Sequence, residues 1–156
     1  MTFTLTSNDI TDGGVLPDAQ VQAKGNTSPH LKWSGAPEGT KSFAVTCYDP
    51  DAPTGSGFWH WTVANIPADV TELPTGGPVP AGAVEGRTDY GEPGFGGAAP
   101  PPGHGPHRYI FTVFAVDVES LDVTPDNSGA VFGFNLHFHT PAKASITATY
   151  ENAGRG

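Results

Sequence analysis

The sequence has few of the residues that disulfide-linked, nucleic-acid-binding or membrane-spanning proteins need. Its 156 residues include a single cysteine, Cys47, which cannot form an internal disulfide and which we expect to be a small buried side chain. Seven basic residues stand against sixteen acidic ones, giving a formal charge of −9, so we predict no nucleic-acid partner. No apolar stretch is long enough to cross a bilayer, and the first residues lack a secretory-signal pattern. We therefore expect a cytoplasmic protein without stable membrane insertion.

Glycine and proline are abundant, with 21 and 16 residues, and they alternate with aromatic and β-branched runs. This mixture is typical of a turn-rich β globule and not of a disordered chain, in which aromatic residues are sparse. The length suits one domain, which we assign to residues 1–156. The predicted fold class is mainly all-β, an antiparallel two-sheet β-sandwich with Greek-key-type connections and few short helices.

Alternating apolar residues predict the strands, at residues 2–7, 19–24, 31–33, 41–49, 58–65, 108–118, 131–138 and 145–150. In 41–49, the alternation places Asp49 on the face of Phe43, Val45 and Cys47. In 58–65, it places His60 with Phe58 on one face, and Trp59 with Trp61 on the other. In 131–138, it predicts one buried row of Phe132, Phe134, Leu136 and Phe138. Periodicity is absent from 66–105, and a single helical turn is expected around 141–144.

Three predicted strands begin or end on polar residues beside Pro/Gly loops: Asp49, His60 and His107. His107 shares its predicted face with Tyr109. A carboxylate between imidazoles favours their protonated forms, which donate hydrogen bonds to a phosphate, and backbone N–H groups in 94–97 and 103–105 are further candidate donors. The alternative is a structural role, because a histidine at a strand end is more often structural and strand pairing is not visible in a sequence.

Several motifs occur in one order along the chain: Asp49-Pro50-Asp51-Ala52-Pro53, then His60-Trp61, then residues 101–109, which read PPGHGPHRY. Together they resemble the signature segments of the phosphatidylethanolamine-binding (Raf-kinase-inhibitor-like) family. Residues 26–33 and 133–136 resemble its bacterial branch, so that the similarity covers nearly the whole chain.

The resemblance implies a two-sheet β fold with an anion-binding pocket at one end. It also implies the lining of that pocket: Asp49, His60, His107 and Tyr109, with Pro101 on the rim, Gly97 in the adjoining loop backbone and Phe58 where animal members carry a tryptophan. Ala98-Ala99 replaces the Pro-Cys of many bacterial relatives, so no thiol is expected there. The sequence ends at Gly156 without the C-terminal helix of animal members, from which we expect an open mouth that accepts small or extended ligands.

The sequence is consistent with three functions. The first is binding of a phosphate-bearing small molecule or a phospholipid head group, with no cofactor and no enzymatic activity. The second, implied by the resemblance, is regulation or inhibition of a protein partner, a kinase or a serine protease, through the loop 91–106. The third is a hydrolase that uses Asp49 and His60 as an acid–base pair, although the sequence shows no nucleophile in a recognisable context.

The remaining histidines give weaker signals. His137 and His139 share a predicted strand face, and an HxH pair can bind zinc, but no further ligand stands at suitable spacing. We interpret that face as exposed or interfacial, which leaves room for a homodimer. His104 lies in a Gly/Pro loop and is a candidate donor at the pocket rim, in an orientation that the sequence does not determine.

Overall fold

Two antiparallel β-sheets form the frame of the protein in a computed structural model, which describes residues 2–153. The strands are β1 (Thr4–Thr6), β2 (Leu31–Ser34), β3 (Ser42–Asp49), β4 (Phe58–Pro67), β5 (Glu72–Leu73), β6 (Val84–Glu85), β7 (His107–Val116) and β8 (Ala142–Tyr150). One sheet has the order β1-β2-β5 and the other the order β6-β4-β3-β7-β8. The predicted two-sheet, mainly β fold is confirmed.

The main core lies between the two sheets. Phe43, Val45 and Cys47 of β3 are buried and pack in one cluster with Leu31 and Trp33 of β2. β3 is paired on both edges, with β4 and with β7, and nearly every residue on both of its faces is buried. After the β3–β4 hairpin the chain adds β5 to the smaller sheet and β6 beside β4, and then passes to the other side of β3 to begin β7, which pairs with β8.

A helix covers the outer face of the larger sheet, where the sequence predicts a strand over 131–138. The helix, α1, spans Gly129–His137, and the Ser128 side chain caps it by accepting a hydrogen bond from the Val131 N–H. Phe132 and Leu136 are buried, whereas Phe134 and Phe138 are 68% and 62% exposed. The strand prediction is wrong because the alternating apolar residues also contain an i, i+4 pair, and the Ser cap favours the helix.

Two smaller predictions are also wrong. No strand forms over 19–24: the chain makes a short 3₁₀ helix, Asp18–Gln20, then a turn, with one isolated bridge from Val21 to Ala98. No helical turn forms at 141–144, because β8 already begins at Ala142 and pairs there with β7. Neither helix in residues 2–153 is long and apolar enough to cross a membrane.

A β-bulge in β4 changes the predicted faces. Trp61 lies opposite Cys47 and Trp59 lies opposite Tyr48, so His60 is an extra residue between two consecutive pairs. Trp61 therefore joins the inner core, while Trp59 packs on Tyr48 at a ring-centroid distance of 4.5 Å. The prediction that Trp59 and Trp61 share a face is wrong, since the bulge shifts the alternation by one residue.

Candidate functional site

A cavity of about 190 Å³ opens at one end of the larger sheet. Of the seven residues predicted to line the pocket, six line this cavity and Gly97 does not. The residues that the prediction missed are Ala52, Pro53, Thr54, Tyr90 and Ala99. Tyr90 lies in the aperiodic segment, where a large aromatic residue in a Gly-rich loop was the only available signal.

Antiparallel pairing explains why residues far apart in sequence meet here. β3 ends at Asp49, and the strands beside it, β4 and β7, begin at Phe58 and His107. The end of one strand lies beside the starts of its antiparallel neighbours. The alternation of β7 then places Tyr109, like His107, on the buried side.

Asp49 and His107 form a buried pair at the base of the site. His107 Nδ1 lies 2.7 Å from Asp49 Oδ2, and the two residues are only 1% and 2% exposed. Asp49 Oδ1 accepts a hydrogen bond from the Asp51 backbone N–H at 2.7 Å, so both carboxylate oxygens are bound. The other nitrogen of His107, Nε2, lies 2.6 Å from Nδ1 of His104.

A surface ion pair holds the loop after β3 against the start of β7. Arg108 donates from Nε and Nη2 to the two carboxylate oxygens of Asp51, at 3.0 and 2.9 Å, and its backbone N–H also donates to that carboxylate. These hydrogen bonds lower the pKa of Asp51 to about 2. The fork-to-fork geometry fixes the orientation of the loop that carries Asp49.

Burial favours the neutral form of His60. Its Nδ1 lies 2.8 Å from the Gly96 carbonyl oxygen, and because a carbonyl only accepts, Nδ1 carries a proton, which leaves Nε2 as the acceptor of the neutral ring. Burial lowers the pKa of His60 and outweighs the opposing effects of Gly96 and Asp49. The nearby carboxylate does favour the protonated imidazole, as expected, but burial has the larger effect on His60.

Two tyrosines complete the polar groups of the cavity. Burial raises the pKa of Tyr90 to about 12, and its hydroxyl donates to the Gly97 carbonyl at 2.7 Å. Burial, and then the nearby Asp49 charge, raises the pKa of Tyr109 far above its usual value, so its hydroxyl stays protonated. Tyr109 Oη is buried and has no hydrogen-bond partner among residues 2–153.

Five of the seven backbone N–H groups in 94–97 and 103–105, the candidate donors of the glycine-rich loops, already donate within the chain. The Gly96 N–H donates to the His60 carbonyl at 2.9 Å, and the Gly103 N–H donates to the Asn152 carbonyl at 2.8 Å. The Gly97 N–H donates to Asn26 Oδ1 at 2.7 Å. Gly97 does not line the cavity, but it positions Tyr90, which does, because its carbonyl accepts the Tyr90 hydrogen bond.

The other candidate groups lie away from the cavity. His137 is the last residue of α1, and His139 follows the helix and pairs with Asp117 at 2.9 Å, so the predicted HxH strand face does not exist. No group of three or more histidine, cysteine or acidic residues in residues 2–153 is arranged to hold a metal ion. Cys47 is buried, and burial raises the pKa of its thiol, which makes it unreactive.

Similarity to known proteins agrees with this architecture. The family model described as phosphatidylethanolamine-binding protein matches residues 6–151, and the chain belongs to that family. Among its relatives is the UPF0098 protein YbhB of Escherichia coli, which is 55% identical over 94% of this chain and 98% of its own length. A UPF0098 protein of Aquifex aeolicus is 40% identical over 93% of this chain and 86% of its own length.

Solved structures show the same fold. The crystal structure of E. coli YbcL, described as a new member of the mammalian PEBP family, superposes with a TM-score of 0.93 at 54% identity, covering 96% of this chain and 98% of that one. A phosphatidylethanolamine-binding protein from Plasmodium vivax has a TM-score of 0.62 at 17% identity, over 97% of this chain and 86% of that one, and shares the fold alone.

Proposed function

We propose that this protein binds a phosphate group, either free or as the head group of a small molecule or phospholipid, and does so without catalysing a reaction. The observation that carries the proposal is the Tyr109 hydroxyl, a protonated donor that is buried in the cavity wall and lacks a partner among residues 2–153. Buried polar groups are nearly always hydrogen-bonded, and an exception requires an explanation. A ligand oxygen in the cavity supplies one.

The position of this hydroxyl separates it from the other buried groups without partners. Such atoms also occur in Gln20, Trp33 and Thr62, but none of those residues lines the cavity. Tyr109 lies there beside His107, whose Nδ1 is bound to Asp49 and whose Nε2 becomes available to a ligand when it leaves His104. Family membership supports a ligand-binding role for this end of the sheet.

The protonation of the site gives the proposal a pH dependence. Because the Asp49 carboxylate only accepts, His107 Nδ1 carries a proton, and Nε2 can donate to an anion only when the ring is protonated. The charged and titratable groups around this ring are Asp49, Asp51, His104 and Tyr109. We expect phosphate affinity to fall as pH rises and Nε2 loses the proton that it donates, which calorimetric titration at several pH values measures.

Removing only the Tyr109 hydroxyl tests the proposal. We expect Tyr109→Phe to bind inorganic phosphate about ten- to a hundredfold more weakly than wild type, the range for a hydrogen bond to a charged group. Its free energy of unfolding should not fall, because the hydroxyl has no protein partner among residues 2–153. Calorimetric titration with phosphate and urea unfolding of the same samples measure both quantities.

Tyr48→Phe is the matched control, because the Tyr48 hydroxyl donates to the Ser56 carbonyl and Tyr48 does not line the cavity. It should leave phosphate affinity unchanged. Equal affinity in wild type and Tyr109→Phe would contradict the proposal, as would turnover of a phosphate ester by the wild-type protein. Repeating the titration with O-phosphoethanolamine and with phosphatidylethanolamine vesicles separates soluble ligands from lipids.

Three further assignments stay predictions: a kinase or serine-protease partner, a cytoplasmic location and a homodimer. For the homodimer, the exposed pair of Phe134 and Phe138, with ring centroids 5.2 Å apart, marks the surface to examine.

A further inference from the structure

Both ring nitrogens of His107 are already hydrogen-bonded within the chain. Nδ1 lies 2.7 Å from Asp49 Oδ2, and Nε2 lies 2.6 Å from Nδ1 of His104. Each imidazole nitrogen offers either one N–H or one lone pair, so it forms one strong hydrogen bond at a time. His104 therefore occupies the nitrogen through which His107 would contact a ligand.

The proton arrangement makes this contact favourable in either charge state of His107. When both rings are neutral, the Asp49 carboxylate places the His107 proton on Nδ1, and Nε2 accepts from the Nδ1–H of His104. When His107 is protonated, its Nε2–H donates to an unprotonated Nδ1 of His104. In both states a ligand has to break the contact between the two rings before it can use Nε2.

His104 is placed so that it can leave without disturbing the core. His104 is exposed, whereas His107 is 1% exposed. Gly103 and Gly105 on either side have φ values of +72° and +86°, and neither has a neighbouring atom where a side chain would be. The His104 backbone is anchored by its N–H, which donates to the Pro101 carbonyl at 3.2 Å. Rotation of the side chain alone can therefore free Nε2.

We propose that His104 is an internal competitor that sets the affinity of the cavity by holding His107 Nε2 until a ligand replaces it. This inference rests on the proposed function, since it takes His107 to be one of the groups that bind the ligand. This competition lowers the affinity of every ligand that uses Nε2 by the same factor. A ligand that offers only a weak acceptor does not displace the imidazole, whereas a charged oxygen forms a stronger, charge-assisted bond.

Substitution of His104 tests the competition. We expect His104→Ala to bind inorganic phosphate about fivefold more tightly than wild type, the equivalent of one ordinary hydrogen bond. Methylphosphonate should gain by the same factor, because the competitor is removed equally for every ligand. Calorimetry measures the affinities. Imidazole ¹⁵N spectra should show the His104 signals moving to solvent-exposed values when phosphate is added to the wild-type protein.

His139→Ala is the matched control, because His139 is also a partly exposed histidine with a ring hydrogen bond, to Asp117, but lies away from the cavity. It should leave phosphate affinity unchanged. If wild type binds phosphate and His104→Ala binds it equally or more weakly, the competitor role is wrong and phosphate binding stands. If neither wild type nor His104→Ala binds phosphate, the proposed function fails and this inference fails with it.

Discussion

At the residue scale, His60 shows how burial decides the charge of a side chain. Its Nδ1 donates to a neutral carbonyl, that of Gly96, and the ring is 3% exposed. A neutral acceptor compensates little for the desolvation of an imidazolium, so the neutral ring is favoured although Asp49 is near. In the cavity His60 is therefore an acceptor, through Nε2, while Tyr109 is a donor.

This environment predicts a pH-dependent stability. A histidine in the unfolded chain titrates near pH 6.5, and burial lowers the pKa of His60 below that value in the folded state. As pH falls through about 6.5, the unfolded state takes up a proton that folded His60 refuses, so the free energy of unfolding falls. Uptake of one proton can lower the free energy of unfolding by at most about 1.4 kcal/mol per pH unit. Urea unfolding at several pH values between neutral and mildly acidic measures it.

His60→Gln is the comparison that isolates this contribution, because the other histidines remain. The loss of stability between neutral and mildly acidic pH should be smaller in the variant than in wild type. The same loss in both proteins would show that His60 does not carry the effect.

At the scale of single elements, α1 shows that a segment whose apolar residues alternate as in a strand can form a helix. The exposure of its side chains then follows the helical period of 3.6 residues. Phe132 is fully buried and packs against Ala44 and Ala64 of the larger sheet, whereas Phe134 is 68% exposed. Two residues apart on a strand, the two rings would share one face. On a helix they point in directions about 200° apart, so only one of them reaches the sheet.

We therefore expect very different effects from two identical substitutions. Phe132→Ala should lower the free energy of unfolding by about 3–5 kcal/mol, because it removes a fully buried ring. Phe134→Ala should change it by about 0.5 kcal/mol or less, since the ring is mostly exposed. Chemical denaturation of both variants is the measurement. Equal losses at the two positions would contradict the helix and favour the strand.

At the scale of the whole molecule, the charge and the cavity oppose one another. The chain carries a formal charge of −9, and no lysine or arginine lines the cavity among residues 2–153. If the cavity binds phosphate as proposed, short-range hydrogen bonds have to hold the anion while the overall field repels it. Such a site differs from the cationic clusters that bind phosphate through long-range attraction.

This opposition predicts an unusual salt dependence. Phosphate affinity should rise by about twofold when ionic strength increases from about 20 to 200 mM, because screening weakens the repulsion more than the contacts inside the cavity. Calorimetry in potassium glutamate measures it. Glu38→Gln and Asp69→Asn, which remove exposed charges outside the cavity, should raise affinity at low salt and have little effect at high salt. A steep fall in wild-type affinity with salt would contradict this account.

The sequence by itself determined the frame of the protein and most of the cavity wall. The strand around Phe43, Val45 and Cys47 follows from alternation, because in a strand with buried faces each apolar side chain is specified locally. Family-like motifs identified Asp49, His107 and four further lining residues, most of which lie at or near the ends of paired strands. The strand follows from alternation within a few residues, and the lining residues follow from the order of the motifs along the chain.

Only the tertiary structure decided the features that depend on contacts between distant segments. The bulge that gives β4 its extra residue, His60, arises from pairing with β3, and α1 forms where its i, i+4 apolar pair can pack on the larger sheet. Tyr90 reaches the cavity from an aperiodic loop, and His104 meets His107 through a turn between two left-handed glycines. Hydrogen bonds and burial between segments far apart in sequence determine the bulge, the packing of α1 and the position of Tyr90, whereas local features such as the Ser128 cap and the two glycines only permit the observed conformations.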